Sequence, residues 1–251
     1  MSTQAIPIQP MMSKKIISIS TIIVYFCDMI NMMKKKTFDF SEYISGKTWL
    51  SLARYQKIGI LMLVWVLSGI FGWVYEFVFY FFDAGTGEFY MQGGNFLPWI
   101  NIYAIGALLI LFLVFKFKLG RHPWVVFLVS MVATGVLEFV AGRLVYTIGG
   151  GTRYWDYNTE ILNFGNIEGF VCLRSVLFFG VSALFLVYAM VPFCVWLSRK
   201  MSKRAFLILS VSLFSVVMVD EVYNILASKV FLDLVDATEV YRGLGWGYLG
   251  V

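Results

Sequence analysis

GILMLVWVLSGIFGWVYEFVFYFF, residues 59–82, contains one ionisable side chain, Glu76. A bilayer core of ~30 Å needs about 20 apolar residues at ~1.5 Å of helical rise each. The stretch therefore reads as a membrane helix, and four more runs follow it. Residues 99–115 are uncharged but short. Residues 124–147 begin after Pro123, which suits a first helical turn. Residues 171–197 hold only Arg174, and residues 205–228 hold Asp220 and Glu221. The pattern predicts an all-α fold, a polytopic transmembrane helical bundle of five main spans. Residues 1–58 would form an N-terminal segment, 59–228 the transmembrane domain, and 229–251 an extracytoplasmic tail.

Composition agrees. The 251 residues are 60% hydrophobic and 14% charged, with mean hydropathy +0.79, against about 25% charged in soluble domains. The net charge of +5 raises a nucleic-acid partner, but its distribution speaks for membrane topology. Lys34, Lys35, Lys36, Lys47, Arg54 and Lys57 precede span one. Lys116, Lys118 and Arg121 follow span two, and Arg199, Lys200, Lys203 and Arg204 follow span four. The opposite connections hold Arg153, Lys229 and Arg242 beside eight carboxylates. The positive-inside rule places residues 34–58 in the cytoplasm and the C-terminus outside a bacterial cytoplasmic membrane.

The first 33 residues admit several readings. Lys14 and Lys15 precede the apolar run Ile16–Phe26, but no small-residue cleavage site follows, as a signal peptide requires. A sixth, marginal span, an interfacial helix, or an upstream extension ahead of a start at Met33 are the alternatives. A peripheral or marginal helix is the reading preferred here.

Glu76, Glu138, Arg143, Arg174, Asp220 and Glu221 all interrupt apolar spans. An ionisable group in a bilayer costs several kcal/mol, faces protein or water, and marks a functional site by default. Helical rise places Glu76 roughly 9 Å, Glu138 about 13 Å and Glu221 roughly 10 Å from the same membrane end, so the six share one half of the bilayer. Gly69, Gly72 and Glu76 fall on one helical face, as do Thr134, Gly135, Glu138, Ala141 and Gly142. Small residues let helices approach closely in lipid. Adjacent Asp220 and Glu221 lie about 100° apart, so one of them at most should face the same centre. Four acids against two bases give −2 if all are charged, which calls for protons, a cation or a basic ligand. The alternative is interhelical glue. We expect Arg174 or Arg143 to pair with Glu138 or Glu76.

The loop after span three is rich in aromatic and amide side chains, including Trp155, Asp156, Tyr157, Asn166 and Glu168. It reads either as an interfacial aromatic belt or as a lid over the polar cluster. Other chemistry finds little support. Cys27, Cys172 and Cys194 lack metal or disulfide spacing and read as small buried hydrophobes. The lone histidine, His122, sits in a turn, and neither HExxH nor GxSxG occurs. No P-loop occurs either, and no cofactor is implied.

Several pieces in order carry a family resemblance. They are Gly72-Trp73-Val74-Tyr75-Glu76, Pro98…Tyr103…Gly106-Ala107-Leu108-Leu109, Leu137-Glu138-Phe139…Gly142-Arg143-Leu144, Trp155-Asp156-Tyr157 and Asn166…Gly169…Cys172-Leu173. Over roughly residues 59–200 the chain resembles the bacterial integral membrane family described as "putative ABC-transporter type IV". Where that family reads Asn-Gly-Arg, this chain has Glu168, Gly169 and Phe170; an arginine is lost and a carboxylate gained, which bears on ligand preference. The segment from Trp99 to Ala104 also departs from the family pattern. The resemblance implies a permease or substrate-capturing membrane subunit, surrounded by lipid, with a small solute and a separate ATPase subunit as partners; the −2 of the cluster favours a cationic solute. The alternatives are a membrane enzyme using Glu76, Glu138 or Glu221 as acid or base on a lipid or envelope intermediate, and a structural or regulatory membrane partner.

Overall fold

The computed structural model describes residues 39–83, 90–91, 93–151, 153–231, 233–245 and 247–248. By internal packing the chain divides into Met1–Phe40 and Ser41–Val251; the architecture below is that of the second unit. The helix expected within residues 1–33, and Cys27 with it, lies outside the described residues.

Five apolar helices form the bundle: α1 (Arg54–Asp83), α2 (Asn101–Lys116), α3 (Pro123–Ile148), α4 (Leu173–Lys200) and α5 (Lys203–Lys229). Four of them, α1, α3, α4 and α5, are long and apolar enough to cross a membrane. Helix α2 has 16 residues, about 24 Å of rise, and so falls short of a full crossing alone. Ahead of it, Asn95, Trp99 and Ile100 are already buried in the bundle before the helix begins.

Helix α3 shows why this is a membrane fold. Its inward row is Val126, Ser130, Thr134, Glu138 and Gly142, all buried. Its outward row is Leu128, Val132, Val136, Val140 and Leu144, each more than half exposed. Both rows repeat every four residues, one helical face each. Apolar outside and polar inside reverses the arrangement of a soluble helix and suits a lipid surround.

Pro123 opens α3 at its first turn, where the missing N–H costs nothing. Ser202 caps α5 by accepting from the Ala205 N–H at 3.3 Å. Helix α4 is interrupted by a π-helical turn at Leu186–Met190. There the Val191 N–H reaches the Leu186 carbonyl, while Pro192 has no N–H to give. The Val187 carbonyl is left over. The Tyr43 hydroxyl donates to it at 2.6 Å, which ties the short helices Phe40–Ile44 and Lys47–Ser51 to the bundle.

Helix α1 is the hub, packed against α2, α5 and the second half of α4, while α3 lies on the first half of α4. The glycine face of α1 does allow close approach, but to rings. The Trp99 indole sits where a Gly69 side chain would be, and the Tyr103 ring occupies the same space at Gly72. Beyond α5 the tail forms a helix, Ala237–Gly243, and a two-residue parallel pairing of Gly247–Tyr248 with Tyr90–Met91.

Candidate functional site

The connection from α3 to α4 is a knot of its own side chains. Gly150 and Gly151 turn the chain with positive φ. Asp156 accepts from the Asn158 N–H at 3.0 Å and from Asn158 Nδ2 at 2.6 Å. Asn166 donates to Asn158 Oδ1 and accepts from the Gly169 N–H, both at 2.8 Å. Arg153 donates to the Glu168 carbonyl at 2.7 Å and covers the Phe170 ring at 4.4 Å. Trp155 Nε1 donates to the Phe170 carbonyl at 3.0 Å. Gly169, at φ +77°, has Asp156, Asn158 and Arg153 crowding the space a side chain would need, so only glycine fits there. Asp156, Asn166 and Trp155 therefore act as internal struts of this loop. Glu168 instead pairs with Arg143 at 3.3 Å on an exposed rim, each side chain about half exposed.

Tyr157 carries the loop into the bundle. Its hydroxyl makes a short hydrogen bond to Glu138 Oε1. Burial, and then the Glu138 carboxylate, push the Tyr157 phenol well above its ordinary value, so it stays neutral. Ser175 Oγ lies 2.9 Å from both Glu138 Oε2 and the Cys172 carbonyl. On α1, Glu76 accepts from the Tyr103 hydroxyl at 2.9 Å. Glu160, from the loop, accepts from Tyr80 at 2.7 Å and from Arg174 Nη2 at 2.5 Å. The Arg174 guanidinium lies 3.8 Å over the Phe79 ring. Its Nε is buried and makes no hydrogen bond. Glu138, Glu160 and Arg174 are all within electrostatic reach of Glu76.

The arginines thus differ from expectation. Neither pairs with Glu138 or Glu76: Arg174 takes Glu160 in a part-buried pair, the side chains 13% and 7% exposed, and Arg143 takes Glu168. The reason is reach, because the folded loop delivers its own carboxylates to each guanidinium. Three carboxylates against Arg174 leave the set at −2 if all are charged.

The hydroxyl donors matter chemically. A carboxylate only accepts, whereas a protonated carboxyl must also donate. Tyr and Ser hydroxyls can do either. The Ser175 proton can point to Glu138, or to the Cys172 carbonyl while Ser175 Oγ accepts from a protonated Glu138. Glu138 and Glu76 can therefore gain or lose a proton, or meet a cation, with their partners kept.

Asp220 and Glu221 are held differently, and the expectation of one six-residue cluster is replaced by two sets. Asp220 accepts from the N–H groups of Phe96 and Leu97 at 3.1 and 2.8 Å, and from Asn224 Nδ2 at 2.9 Å. Glu221 accepts from Asn95 at 2.7 Å and from Asn101 at 2.6 Å. Both point at the 95–101 segment, where the helical angle between them allowed one at most to face the centre; the segment curves across α5 and meets both. Asn224 Oδ1 also receives the Ala237 N–H at 2.8 Å, which fastens the tail helix.

Sequence reasoning passed over Glu160, Tyr103, Tyr80 and Ser175, and the amides Asn95 and Asn101. Tyr103 stood in the sequence only among the residues that carry the family resemblance; Glu160 carried no signal beyond its loop charge. Buried Cys172 and Cys194 are free thiols, as read. Among the described residues, no group of three or more His, Cys, Asp and Glu side chains could hold a metal ion.

Comparison with curated proteins and with solved structures gives no match. A family model does match residues 63–225, which takes in α2, α3, α4, most of α1 and α5, and every residue of the acidic site. The chain belongs to the family described as Putative ABC-transporter type IV.

Proposed function

We propose that this chain is the membrane subunit of a transport system, a permease or solute-capturing protein, and that Glu76 and Glu138 are its charge-handling groups. The site takes protons, or a small cationic or amine-bearing solute, from the extracytoplasmic side. A separate ATPase supplies the energy, since the chain has no P-loop. The observation that carries the reading is the pair of carboxylates held by hydroxyls inside an apolar bundle, with Arg174 already taken by Glu160. Carboxylates gathered in low dielectric are costly to keep charged, so the site suits completion by something positive. Tyr157 and its loop stand as the cover on the loop side.

Orientation is part of the proposal. The basic connections lie in the cytoplasm and the 149–172 loop outside, by the positive-inside bias. In a background without native thiols, a cysteine at Gly150 should react with an impermeant reagent on intact cells, and one at Ser202 should not. The opposite labelling would reverse the direction of uptake. The function is tested by uptake in cells carrying Glu76→Gln or Glu138→Gln. Loss of uptake with the protein still in the membrane supports the reading. Unchanged uptake over a broad solute panel on deleting the gene, with no ATPase copurifying, would contradict it.

A further inference from the structure

Two outward rows of the bundle run into the turn between α2 and α3. On α3 the row from Leu144 back to Leu128 continues one turn earlier to Trp124, which is 78% exposed. On α2, Phe112 is more than half exposed, and Lys116 follows it on the same face, four residues on. Lys116 Nζ lies 5.0 Å over the Phe112 ring and 5.8 Å over the Phe117 ring, and Phe117 is itself 60% exposed. The turn therefore marks the level where the lipid-facing rows end. Tryptophan favours that level, with its ring toward hydrocarbon and its N–H toward water. Lysine suits it too, its stem along apolar surface and its charge beyond.

Charge gathers at the same place. Lys116, Lys118 and Arg121 are all exposed, and none of them makes an ion pair among the described residues. The sequence has no carboxylate between Glu88 and Glu138. The adjoining short helices carry Glu42 and Lys47. The turn is also fixed in place. Tyr188, on the π-helical turn of α4, donates to the Gly120 carbonyl at 3.0 Å. A side chain at Gly120 would come within 3.1 Å of the Ile44 carbonyl. Trp49 stacks on Phe115 at 5.0 Å, and the His122 N–H donates to the Leu119 carbonyl at 2.9 Å. Three unanswered cations and two exposed rings are thus presented on a fixed frame.

We propose that the α2–α3 turn binds the headgroup of an anionic phospholipid. Lys116, Lys118 and Arg121 meet the net-negative headgroup, and the chains lie along Phe117, Trp124 and the outward rows beyond them. A soluble anion would use the cations and leave the exposed rings without a partner. A docked protein would have to cover rows that run on into the lipid-facing surface of α2 and α3. A phospholipid meets the charge and the rings together. The site does not rest on the transport reading; only the leaflet it occupies follows from the orientation proposed above.

The test uses the full chain in nanodiscs, with spin-labelled phosphatidylglycerol or phosphatidylcholine as the probe; the electron spin resonance spectrum gives the share of probe held by the protein. A cation beside an anionic headgroup is worth up to about fivefold in affinity. Wild type should prefer phosphatidylglycerol by about tenfold at low salt, and less at high salt. The triple variant Lys116→Gln, Lys118→Gln, Arg121→Gln should bring the preference to within about twofold of none. Arg199→Gln with Lys200→Gln, which leaves the turn intact, should keep most of it. If the triple variant does not fold, Lys116→Gln and Arg121→Gln taken singly should each lower the preference about threefold. Equal binding of the two lipids by wild type, or a preference untouched in the turn variants, overturns the proposal. So does release of the phosphatidylglycerol by inorganic phosphate at constant ionic strength, which would make the turn a site for soluble anions. An unchanged preference in the triple variant together with loss of a copurifying ATPase would make it a protein-docking face instead.

Discussion

Two pairs of acids sit toward the same end of this bundle, and their donors set them apart. Asp220 and Glu221 are held by amide and backbone N–H groups. Backbone N–H groups donate and cannot accept, and two of the amides are oriented with their N–H toward the acids by other bonds, Asn224 Oδ1 accepting from the Ala237 N–H and Asn95 Nδ2 also donating to the Trp99 carbonyl, so the set favours a permanent carboxylate. Those contacts pin the 95–101 segment and the tail to α5. Glu76 and Glu138 are held by tyrosine and serine hydroxyls, which tolerate either protonation state. An acid in a membrane helix is therefore not a functional residue merely by being there. The chemistry of its partners separates a clamp from a site that can change charge.

The comparison can be broken at several points. The largest effect should come from Glu160→Ala, which takes from the part-buried Arg174 its hydrogen-bonded carboxylate; losing one partner of such a pair costs about 3 kcal/mol, measurable as a fall in unfolding stability in detergent. Next is Glu221→Ala. It leaves the Asn95 and Asn101 amides without their acceptor and should cost about 2–3 kcal/mol, with faster proteolysis in the 93–100 segment. Glu138→Gln should cost less, about 1 kcal/mol, because Tyr157 and Ser175 can still bond an amide, yet it should abolish transport. If Glu138→Gln proves as destabilising as Glu221→Ala, the two pairs are alike and the distinction fails. Gly72→Ala should cost about 1–3 kcal/mol, since the new methyl meets the Tyr103 ring, and should disturb Glu76 along with it. Smallest of all, Arg143→Ala should change stability by less than about 0.5 kcal/mol, because its pair with Glu168 lies in the open.

Much of the architecture was legible because lipid imposes it. The apolar runs at 59–82, 124–147, 171–197 and 205–228 became helices with ends shifted by a few residues, and Pro123 marked its helix start as expected. The short run at 99–115 became a short helix, and the turns before it bury Asn95 and Trp99 in the bundle, which the apolar pattern does not carry. Glu76, Glu138 and Tyr157 could each be singled out from charge or loop composition, but their bonds could not. Glu160 was out of reach altogether. It lies in a polar loop without periodicity, and its burial arises only when the Asp156–Asn158–Asn166 struts fold that loop down onto Arg174. The pairing of Arg174 was misread for the same reason: helix geometry predicts neighbours along and between helices, while this partner arrives from a loop.

The central claim is that Glu76 and Glu138 can exchange charge where Asp220 and Glu221 cannot. Infrared difference spectra of the protein in nanodiscs, recorded across a pH step, read carboxyl protonation directly. The account predicts a carboxylic-acid band that responds to pH, diminished in Glu76→Gln and in Glu138→Gln and unchanged in Asp220→Asn. A response that survives both glutamine substitutions, or that disappears in Asp220→Asn, would contradict it.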